Sequence, residues 1–480
     1  MKFSIVKSAA AIVLASQAIV QSINAEIADD LSDADQTVFQ NDATDFDEYW
    51  STFTDDPNDD VAHLMIKYIS DKGYDNLVAM DSVTIVKEFP EDGFVAIQVD
   101  NTNLANVMKA LIEDKEIEAI EKDSLWVEQG LLESYVTEDE VRRSLRRGSD
   151  DSDHRTLAES IPYGVTMTQA NQVSYGGTKV TVCIVDTGVS ISHPDLNSGK
   201  ISGADRRSKI DNSLLDWERD SRGHGTHIAG TISAKMNNNI GVRGMGDIPL
   251  YITRGLNNVG QGRESDIREA IGQCESAGAK IISLSLAGGS ITDSMKTVID
   301  RVFANGGLIF AASGNGGGRN IAFPAAHPKV IAVGAVTEAS VRWTGSNYGY
   351  NELMAPGQSV LSTTVNAQGQ NVYAYYSGTS MATPHAAAAA ALLWSNFPKC
   401  TNVQIRYALA FTAKDLGSSG CDSTFGYGIV QTKAAHTFLS NNPCSNANWG
   451  KTTSTNDQCS TIDVKPSTSR SRVSWASWWS

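Results

Sequence analysis

The sequence predicts an α/β fold in which helices cover both faces of a parallel central sheet, with a small α+β unit in front of it. The main observation is a set of short, continuously apolar segments at 180–185, 281–286, 307–312 and 330–336. Helical segments such as 265–276 and 291–304 alternate with them. Continuous apolar strands between helices are typical of a parallel sheet that is buried on both faces. A hydrophobic content of 41% and 40 glycines fit this fold class.

The 480 residues exceed one average domain, and the composition divides them into six segments. These are a signal peptide (1–25), an acidic leader (26–60), the α+β unit (61–130), a charged linker (131–157), the α/β domain (158–439) and a polar, Trp-containing tail (440–480). We expect the tail to be disordered, with attachment to lipid as the alternative. The linker contains two double-basic pairs and is expected to be exposed to proteolysis.

The α+β unit is predicted from alternating apolar patterns. Its elements are strands near 64–66, 82–86 and 94–99, a helix over 101–114, and a last strand through Ile120 and Trp126. These elements suffice for a small independent domain.

The first 25 residues have the pattern of a secretory signal peptide. Lys2 and Lys7 form a basic start, residues 9–20 are largely apolar, and Ala25 is a small residue at the cleavage point. The apolar run is short for a membrane span, and an uncleaved anchor is the alternative. We therefore expect a secreted, extracellular protein with no membrane association. The formal net charge of -16 argues against a nucleic-acid partner.

Secretion permits disulfides among the six cysteines. The expected bridges join neighbours in sequence, Cys400 to Cys421 and Cys444 to Cys459. Cys183 in an apolar strand and Cys274 on a helical face are expected to be buried free thiols.

Asp186 ends the strand at 180–185 and leads into Thr187 and Gly188. In open α/β sheets functional groups gather where strands end, so Asp186 is a candidate catalytic carboxylate. An aspartate at the end of a strand is also a common turn residue.

His224 lies between Gly223 and Gly225 at the predicted start of a helix. The glycines let backbone and substrate approach the imidazole closely. His227 follows three residues later and suggests a metal pair, but no acidic third ligand has the spacing of a zinc site. We therefore predict a catalytic His224 and a structural His227.

Ser380 begins a helix that continues into an alanine run. The free N–H groups and the positive dipole at a helix start favour a developing oxyanion, although a serine here is also an ordinary N-cap. A serine hydroxyl needs a base and a carboxylate to become a nucleophile. Asp, His and Ser follow one another in the chain order of subtilisin.

Together the three segments resemble the signatures of the subtilase family of serine proteases, over about residues 158–435. The resemblance implies that Asp186 orients His224, that His224 is general base and then general acid, and that Ser380 is the nucleophile. The segment 310–316 resembles the part of the family that supplies an asparagine to the oxyanion hole. That residue is Asn315, acting with the N–H of Ser380.

In this family the substrate adds as a strand between two edges of the enzyme. The matching edges contain Gly260, Gln261 and Gly262 on one side and Ser285, Leu286 and Ala287 on the other, with Ala287 where glycine is usual. The resemblance places Ala312, Ser313 and Gly314 in the main specificity pocket. These residues carry no charge, so we expect large apolar residues on the acyl side of the scissile bond.

Two further segments resemble the calcium site of the family. The implied ligands are the side chains of Glu159, Asp195 and Asn238 and the carbonyls of Met236, Ile240 and Val242. Two carboxylates would favour a structural Ca²⁺. The alternative is an Asn-rich turn without metal.

The resemblance also assigns roles to the segments, with 61–130 as an inhibitory propeptide that assists folding and 158–439 as the peptidase domain. Self-cleavage after Leu157 would begin the mature chain at the family's usual start. Cleavage after Arg147 by another protease, or earlier self-cleavage near Tyr135, stays open because the linker is long.

The resemblance therefore favours a secreted, autoprocessed serine endopeptidase of broad specificity, with an Asp-His-Ser triad and an acyl-enzyme intermediate. We expect a monomer that acts on proteins or peptides, is inhibited by its own propeptide and needs no cofactor for catalysis. The alternatives are a dibasic-specific processing protease and an inactive homologue that binds proteins.

Overall fold

The computed structural model describes residues 61–137, 140–141, 159–196, 199–208, 213–288, 292–349 and 351–445. They form two compact units, divided between Ser124 and Leu125. The predicted signal peptide, the acidic leader and most of the tail lie outside the described residues.

The first unit is a four-stranded antiparallel sheet with two helices. Its elements are β1 (Val61–Tyr68), α1 (Asp71–Val78), β2 (Val83–Phe89), β3 (Phe94–Asp100), α2 (Leu104–Glu113) and β4 (Ile117–Lys122). The strand order is β2-β3-β1-β4. Leu64, Ile97 and Leu111 belong to its apolar core. The sequence predicted α2 but missed α1, because α1 buries only Gly73 and Leu77 and most of its other residues are polar.

The second unit contains the predicted α/β domain. Its first half has β5 (Leu125–Glu128), β6 (Leu131–Val136), α3 (Tyr163–Met167), β7 (Val182–Asp186), β8 (Ile201–Ala204), β9 (Arg206–Arg207), β10 (Leu214–Leu215), α4 (His224–Ser233), β11 (Leu250–Arg254), β12 (Gln261–Arg263) and α5 (Glu264–Ser276). Its second half has β13 (Ile281–Leu284), β14 (Leu286–Gly288), α6 (Asp293–Ala304), β15 (Leu308–Ala312), β16 (Val330–Val336), β17 (Leu353–Pro356), β18 (Val360–Val365), β19 (Asn371–Ser377), α7 (Thr379–Asn396), α8 (Asn402–Phe411) and α9 (Thr432–Asn441).

The central sheet has seven parallel strands in the order β17-β16-β15-β13-β7-β11-β8. Successive residues of β7 enter different cores. Val182 and Ile184 pack with α4 and α7 on one face, and Cys183 and Val185 pack with α5 and α6 on the other. Burial on both faces explains why the strands are continuously apolar, and it confirms the predicted fold class.

Helix α7 carries the alanine run of the sequence, and residues 386–391 of it are completely buried. Alanine side chains are small, so this helix lies close against the sheet and fixes the position of its own first turn. Among the described residues, no helix is long and apolar enough to cross a membrane.

Strands β5 and β6 belong to the second unit, although the sequence placed their residues at the end of the α+β unit and in the charged linker. β5 lies between β12 and β14, and β6 pairs antiparallel with β19. The strand edges of the α/β domain supply the hydrogen bonds that order these residues, and composition alone does not reveal such edges.

Both predicted disulfides are wrong. Cys183 bonds to Cys274 across the β7–α5 interface, with Cα atoms 5.7 Å apart, so neither is a free thiol. Cys400 bonds to Cys444, with a Cα separation of 5.0 Å, because α8 and α9 pack together. Cys421 is also disulfide-bonded. Proximity along the chain did not predict the disulfide pairing, because packing between helices and strands determines which thiols meet.

The Cys183–Cys274 bridge closes a loop of 91 residues, so its removal should destabilise the protein. In the chain-entropy model, the Cys183→Ala/Cys274→Ala variant should lose about 4 to 5 kcal/mol of unfolding free energy, measured in urea. The Cys400→Ala/Cys444→Ala variant is the comparison, because its 44-residue loop should give a slightly smaller loss. Two reactive thiols at Cys183 and Cys274 in the native protein would contradict this assignment.

Candidate active site

A carboxylate and an imidazole meet in the interior of the second unit. Asp186 is the last residue of β7, and its Oδ1 lies 2.8 Å from Nδ1 of His224. Both side chains are fully buried. The backbone N–H of Thr187 also donates to Oδ1 of Asp186, which holds the carboxylate in place. The geometry therefore matches an aspartate that orients a histidine.

The glycines beside His224 are required by close packing. Gly223 has φ of +84°, and a Cβ there would lie 2.3 Å from Oγ1 of Thr364. A Cβ on Gly225 would lie 2.2 Å from the carbonyl oxygen of Gly188. His224 is thus fixed at the first position of α4, with its ring against Asp186.

Ser380 occupies the first turn of α7, as the sequence predicted. Its Oγ donates a hydrogen bond to the carbonyl of Ser285 at 2.8 Å. The Nε2 of His224 is buried and has no hydrogen-bond partner among the described residues. A rotation of the serine side chain is therefore needed before its proton can pass to the imidazole.

Two donors converge on one backbone carbonyl beside Ser380. The N–H of Ser380 lies 3.0 Å from the carbonyl oxygen of Gln129, and Nδ2 of Asn315 lies 2.8 Å from the same atom. The N–H and hydroxyl of Thr379 both donate to Oδ1 of Asn315, which sets the amide so that its NH₂ group faces Gln129. Asn315 and Ser380 thus form the donor pair that an oxyanion hole requires.

The peptide bond after Gln129 lies against His224. A Cβ built on Gly130 would be 2.7 Å from Nε2 and from Cδ2 of the imidazole. A Cβ on Gly378 would be 2.3 Å from the Gln129 carbonyl oxygen. The glycines at 130 and 378 therefore allow this peptide bond to reach the serine and the histidine.

The residues before Gln129 form a strand between the two predicted substrate edges. In β12, Gln261 pairs with Val127 and Gly262 with Trp126. In β14, Leu286 pairs with Glu128 and Ala287 with Val127. The carbonyls of Gly260 and Ser285 accept the N–H groups of Glu128 and Gln129 at 3.1 and 3.2 Å.

Side chains of this strand enter different environments. Trp126 is completely buried and packs edge-on against Phe323, with ring centroids 5.7 Å apart. The Glu128 carboxylate forms an ion pair with Arg222 at 2.8 Å. The sequence analysis missed both Arg222 and the partners of Trp126, because neither belongs to a recognisable motif.

Ala312 ends β15, and Ser313 and Gly314 connect it to Asn315; all three residues are buried. Gly314 has φ of +103°, and a Cβ there would lie 2.4 Å from Nδ2 of Asn347. This segment reaches the cleft because the N–H of Gly314 and the hydroxyl of Thr379 are joined by a hydrogen bond of 3.2 Å.

His224 has a perturbed acidity. Burial lowers the pKa of the imidazole, but the charges of Asp186 and then Glu128, with the hydrogen bond that the imidazole donates to Asp186, outweigh burial and raise the pKa to about 9. His227, in contrast, is buried against the carbonyls of Val360 and Ala374, and burial lowers its pKa to about 3. These contacts fit the structural role that the sequence predicted for His227.

The residues of the predicted calcium site also meet. The Oδ1 of Asp195 accepts a hydrogen bond of 2.6 Å from Nδ2 of Asn238. Its Oδ2 accepts hydrogen bonds from the N–H of Val242 at 3.0 Å and from the hydroxyl of Tyr373 at 2.9 Å. Oε1 of Glu159 accepts the N–H of Asn238 at 3.3 Å. Burial raises the pKa of Asp195, and the charge of Glu159 adds to this shift.

The loop around Asn238 also contains Met236 and Ile240, whose carbonyls belong to the predicted ligand set. Asn237, Asn239 and Gly241 have φ of 60°, 62° and 51°, so every second residue is left-handed. No group of three or more His, Cys, Asp or Glu side chains able to hold a metal ion is found in the described part of the chain. Leu157 and Arg147, the predicted processing residues, lie outside the described residues.

The comparisons with known proteins agree with this geometry. A sequence model of the subtilase family matches residues 177–428. Subtilisin amylosacchariticus from Bacillus subtilis subsp. amylosacchariticus is 35% identical over 339 residues, which cover 69% of this chain and 80% of that protein. Subtilisin from Bacillus pumilus is 39% identical over 287 residues, which cover 58% of this chain and 99% of that protein.

The fold has a counterpart among solved structures. The psychrophilic subtilisin-like protease Apa1 from the Antarctic psychrotroph Pseudoalteromonas sp. AS-11 superposes with a TM-score of 0.53 at 24% identity, covering 59% of this chain and 99% of that one. This likeness concerns the fold alone. The family match over residues 177–428 and the identity with subtilisin amylosacchariticus show that the chain belongs to the subtilase family of serine endopeptidases.

Proposed function

We propose that this protein is a secreted endopeptidase, made as a zymogen that cuts its own chain between Gln129 and Gly130. The observation that carries the proposal is the carbonyl of Gln129, which accepts hydrogen bonds from both Ser380 and Asn315. The disulfides support secretion, because such bonds persist in oxidising compartments.

The reaction follows from the positions of the groups. The Oγ of Ser380 turns from the Ser285 carbonyl and attacks the carbonyl carbon of Gln129, while Nε2 of His224 takes the hydroxyl proton. The imidazolium, held by Asp186, then gives this proton to the nitrogen of Gly130 as the carbon–nitrogen bond breaks. Water, activated by His224, hydrolyses the Gln129 ester and frees Ser380.

Asn315 and the Ser380 N–H stabilise the negative oxygen that forms on Gln129. Removal of one such donor typically costs about 10²–10³ in turnover. The Asp186–His224 pair and these donors are groups that catalysis needs and that binding alone does not. Their presence therefore favours an active enzyme over an inactive binding homologue.

Substrate preference is proposed from the lining of the cleft. Trp126, the fourth residue before the bond, is completely buried, which favours aromatic or large apolar side chains at that position. Gln129 is uncharged, in agreement with the uncharged segment Ala312, Ser313 and Gly314. We retain the preference for large apolar residues directly before the bond. A dibasic specificity is disfavoured because Arg222 would repel a basic residue at the second position.

A second cut would complete activation. After the first cut, β6 remains paired with β19, and Glu133 accepts hydrogen bonds from Ser359 and Ser377. This strand lies on the leaving-group side of the bond and is covalently part of the peptidase. Cleavage after Leu157 or Arg147 would separate it from the mature chain. The cut propeptide would inhibit this product as long as it occupies the cleft, and after its release the product would act as a monomer on protein or peptide substrates.

We further propose structural Ca²⁺ at Asp195. The residues fit, because a buried carboxylate next to Glu159 favours a cation, and the alternating left-handed loop can direct several carbonyls to one side. Glu159, Asp195, Asn238 and the carbonyls of Met236, Ile240 and Val242 would hold it. The Asn238 amide would turn its oxygen, in place of its nitrogen, toward the ion. Calcium there would stabilise the fold.

The first cut is tested by the fragments that the precursor forms. The native chain should yield a peptidase fragment that begins at Gly130, whereas Ser380→Ala should remain uncut, as read by N-terminal sequencing and intact mass. Gly130→Val should slow this cut strongly, because its side chain would collide with the His224 ring.

Gly177→Ala is the matched control, because a Cβ at that position meets nothing within 4 Å. A first cut elsewhere, with the Gln129–Gly130 bond left intact, would contradict the assignment of the bond.

The pH dependence of the first cut should report the protonation of His224. The base must be neutral, so the rate should rise about tenfold per pH unit up to the pKa of about 9 and then level off. Glu128→Gln removes one of the charges that raise this pKa, so the midpoint should move to lower pH. The midpoint is measured from precursor refolded in acid and then shifted to each pH. An unchanged midpoint in Glu128→Gln would contradict this electrostatic coupling.

Calcium binding is tested in the Ser380→Ala variant, which cannot digest itself. Calcium at about 100 times its Kd should raise the unfolding free energy by about 2.7 kcal/mol, and a chelator should reverse the gain. Asp195→Asn should abolish this response. Asp247→Asn, which alters an exposed carboxylate paired with Lys200, should keep it. A calcium response that survives in Asp195→Asn would place the ion elsewhere.

A further inference from the structure

Arg222 lies where the second residue before the cleaved bond would meet the enzyme. Its Nε and Nη2 both lie 2.8 Å from Oε1 of Glu128. The Glu128 side chain is only 9% exposed, whereas that of Arg222 is 49% exposed. A carboxylate that loses so much water needs a cationic or donor partner, and Arg222 supplies it.

The backbone of Arg222 is held by a buried aspartate. Asp220 is 5% exposed and accepts the N–H groups of Arg222, Gly223 and Thr226 at 3.1, 2.8 and 2.8 Å. The hydroxyls of Thr187 and Thr226 donate to the same carboxylate. Because this carboxylate ties the loop to the start of α4, Arg222 is fixed two residues before His224, independently of the strand in the cleft.

The rest of the site around Glu128 is closely packed. A Cβ on Gly260 would lie 2.8 Å from the carboxyl carbon of Glu128. The Oε2 of Glu128 lies 3.9 Å from Nδ1 of His224 and has no hydrogen-bond partner among the described residues. Gly260, the edge of the His224 imidazole and the Arg222 guanidinium therefore surround this site, which suits an acidic side chain as long as glutamate.

We propose that Arg222 makes this endopeptidase prefer peptides with glutamate at the second position before the scissile bond. The inference rests on the proposed function and adds a substrate class to it. The ion pair in the precursor is then one instance of a contact that the mature enzyme makes with its substrates. A neutral residue at this position of the substrate leaves the Arg222 guanidinium without a carboxylate partner. A basic residue at the same position is repelled by the guanidinium.

The test uses the mature enzyme and two peptides with the sequence of residues 125–133, one with glutamate and one with glutamine at the position of Glu128. The native enzyme should cleave the glutamate peptide with a kcat/KM about tenfold higher, since the pair is charge-assisted but half-exposed on the arginine side. This ratio should fall as salt is added. In Arg222→Gln it should approach one.

A charge reversal and a matched control complete the design. Arg222→Glu should prefer a third peptide, with lysine at the position of Glu128, over the glutamate peptide. Arg219→Gln removes an arginine three residues away that is 84% exposed and paired with Asp216, and it should retain the native ratio. Equal cleavage of the glutamate and glutamine peptides by the native enzyme would overturn the inference and leave the proposed function intact. Cleavage of neither peptide would overturn both.

Discussion

The carbonyl of Gln129, held between Ser380 and Asn315, fixes the register of the whole segment that crosses the active site. Side chains alternate along a strand, so a shift by one residue would turn every one of them to the opposite side. Trp126 would leave its apolar site and Glu128 would leave Arg222. The same shift would put a larger residue in the place of Gly130, whose missing side chain leaves room for the His224 ring. The hydrogen bonds at one peptide bond and the packing of Trp126, Glu128 and Gly130 thus specify the same alignment.

The resting state of the precursor follows from the same arrangement. The carboxylates of Asp186 and Glu128 favour the protonated imidazole, and the Ser380 hydroxyl donates to Ser285 instead of to His224. A protonated histidine cannot accept the serine proton. Glu128 therefore strengthens binding of the segment through Arg222 and, by its charge on the imidazole, opposes the cleavage of that segment.

Sequence analysis selected Asp186, His224, Ser380 and Asn315 as candidates because each stands in a short segment whose residue types are constrained by chemistry and by close packing. The glycines around His224 are an example, since an added Cβ would collide with Thr364 or Gly188. The Cys183–Cys274 bridge could not be predicted in this way, because it depends on how α5 packs against β7. The proposed cut after Gln129 depends on the strand edges of β12 and β14 and on the hydrogen-bond donors Ser380 and Asn315, which meet only in the folded chain. Local sequence therefore pointed instead to the apolar Leu157 and the basic Arg147, which stay predictions.

The proposed cut after Gln129 would leave most contacts of the segment in the cleft unchanged. Hydrolysis separates Gln129 from Gly130, but the pairing of β5 with β12 and β14, the burial of Trp126 and the ion pair of Glu128 all lie on one side of the bond. None of these contacts requires the residues beyond Gln129. The product therefore keeps the contacts that bound the substrate on this side. If Arg222 selects acidic substrates as proposed, the same ion pair would slow the departure of the enzyme's own segment, so selectivity and autoinhibition would increase together.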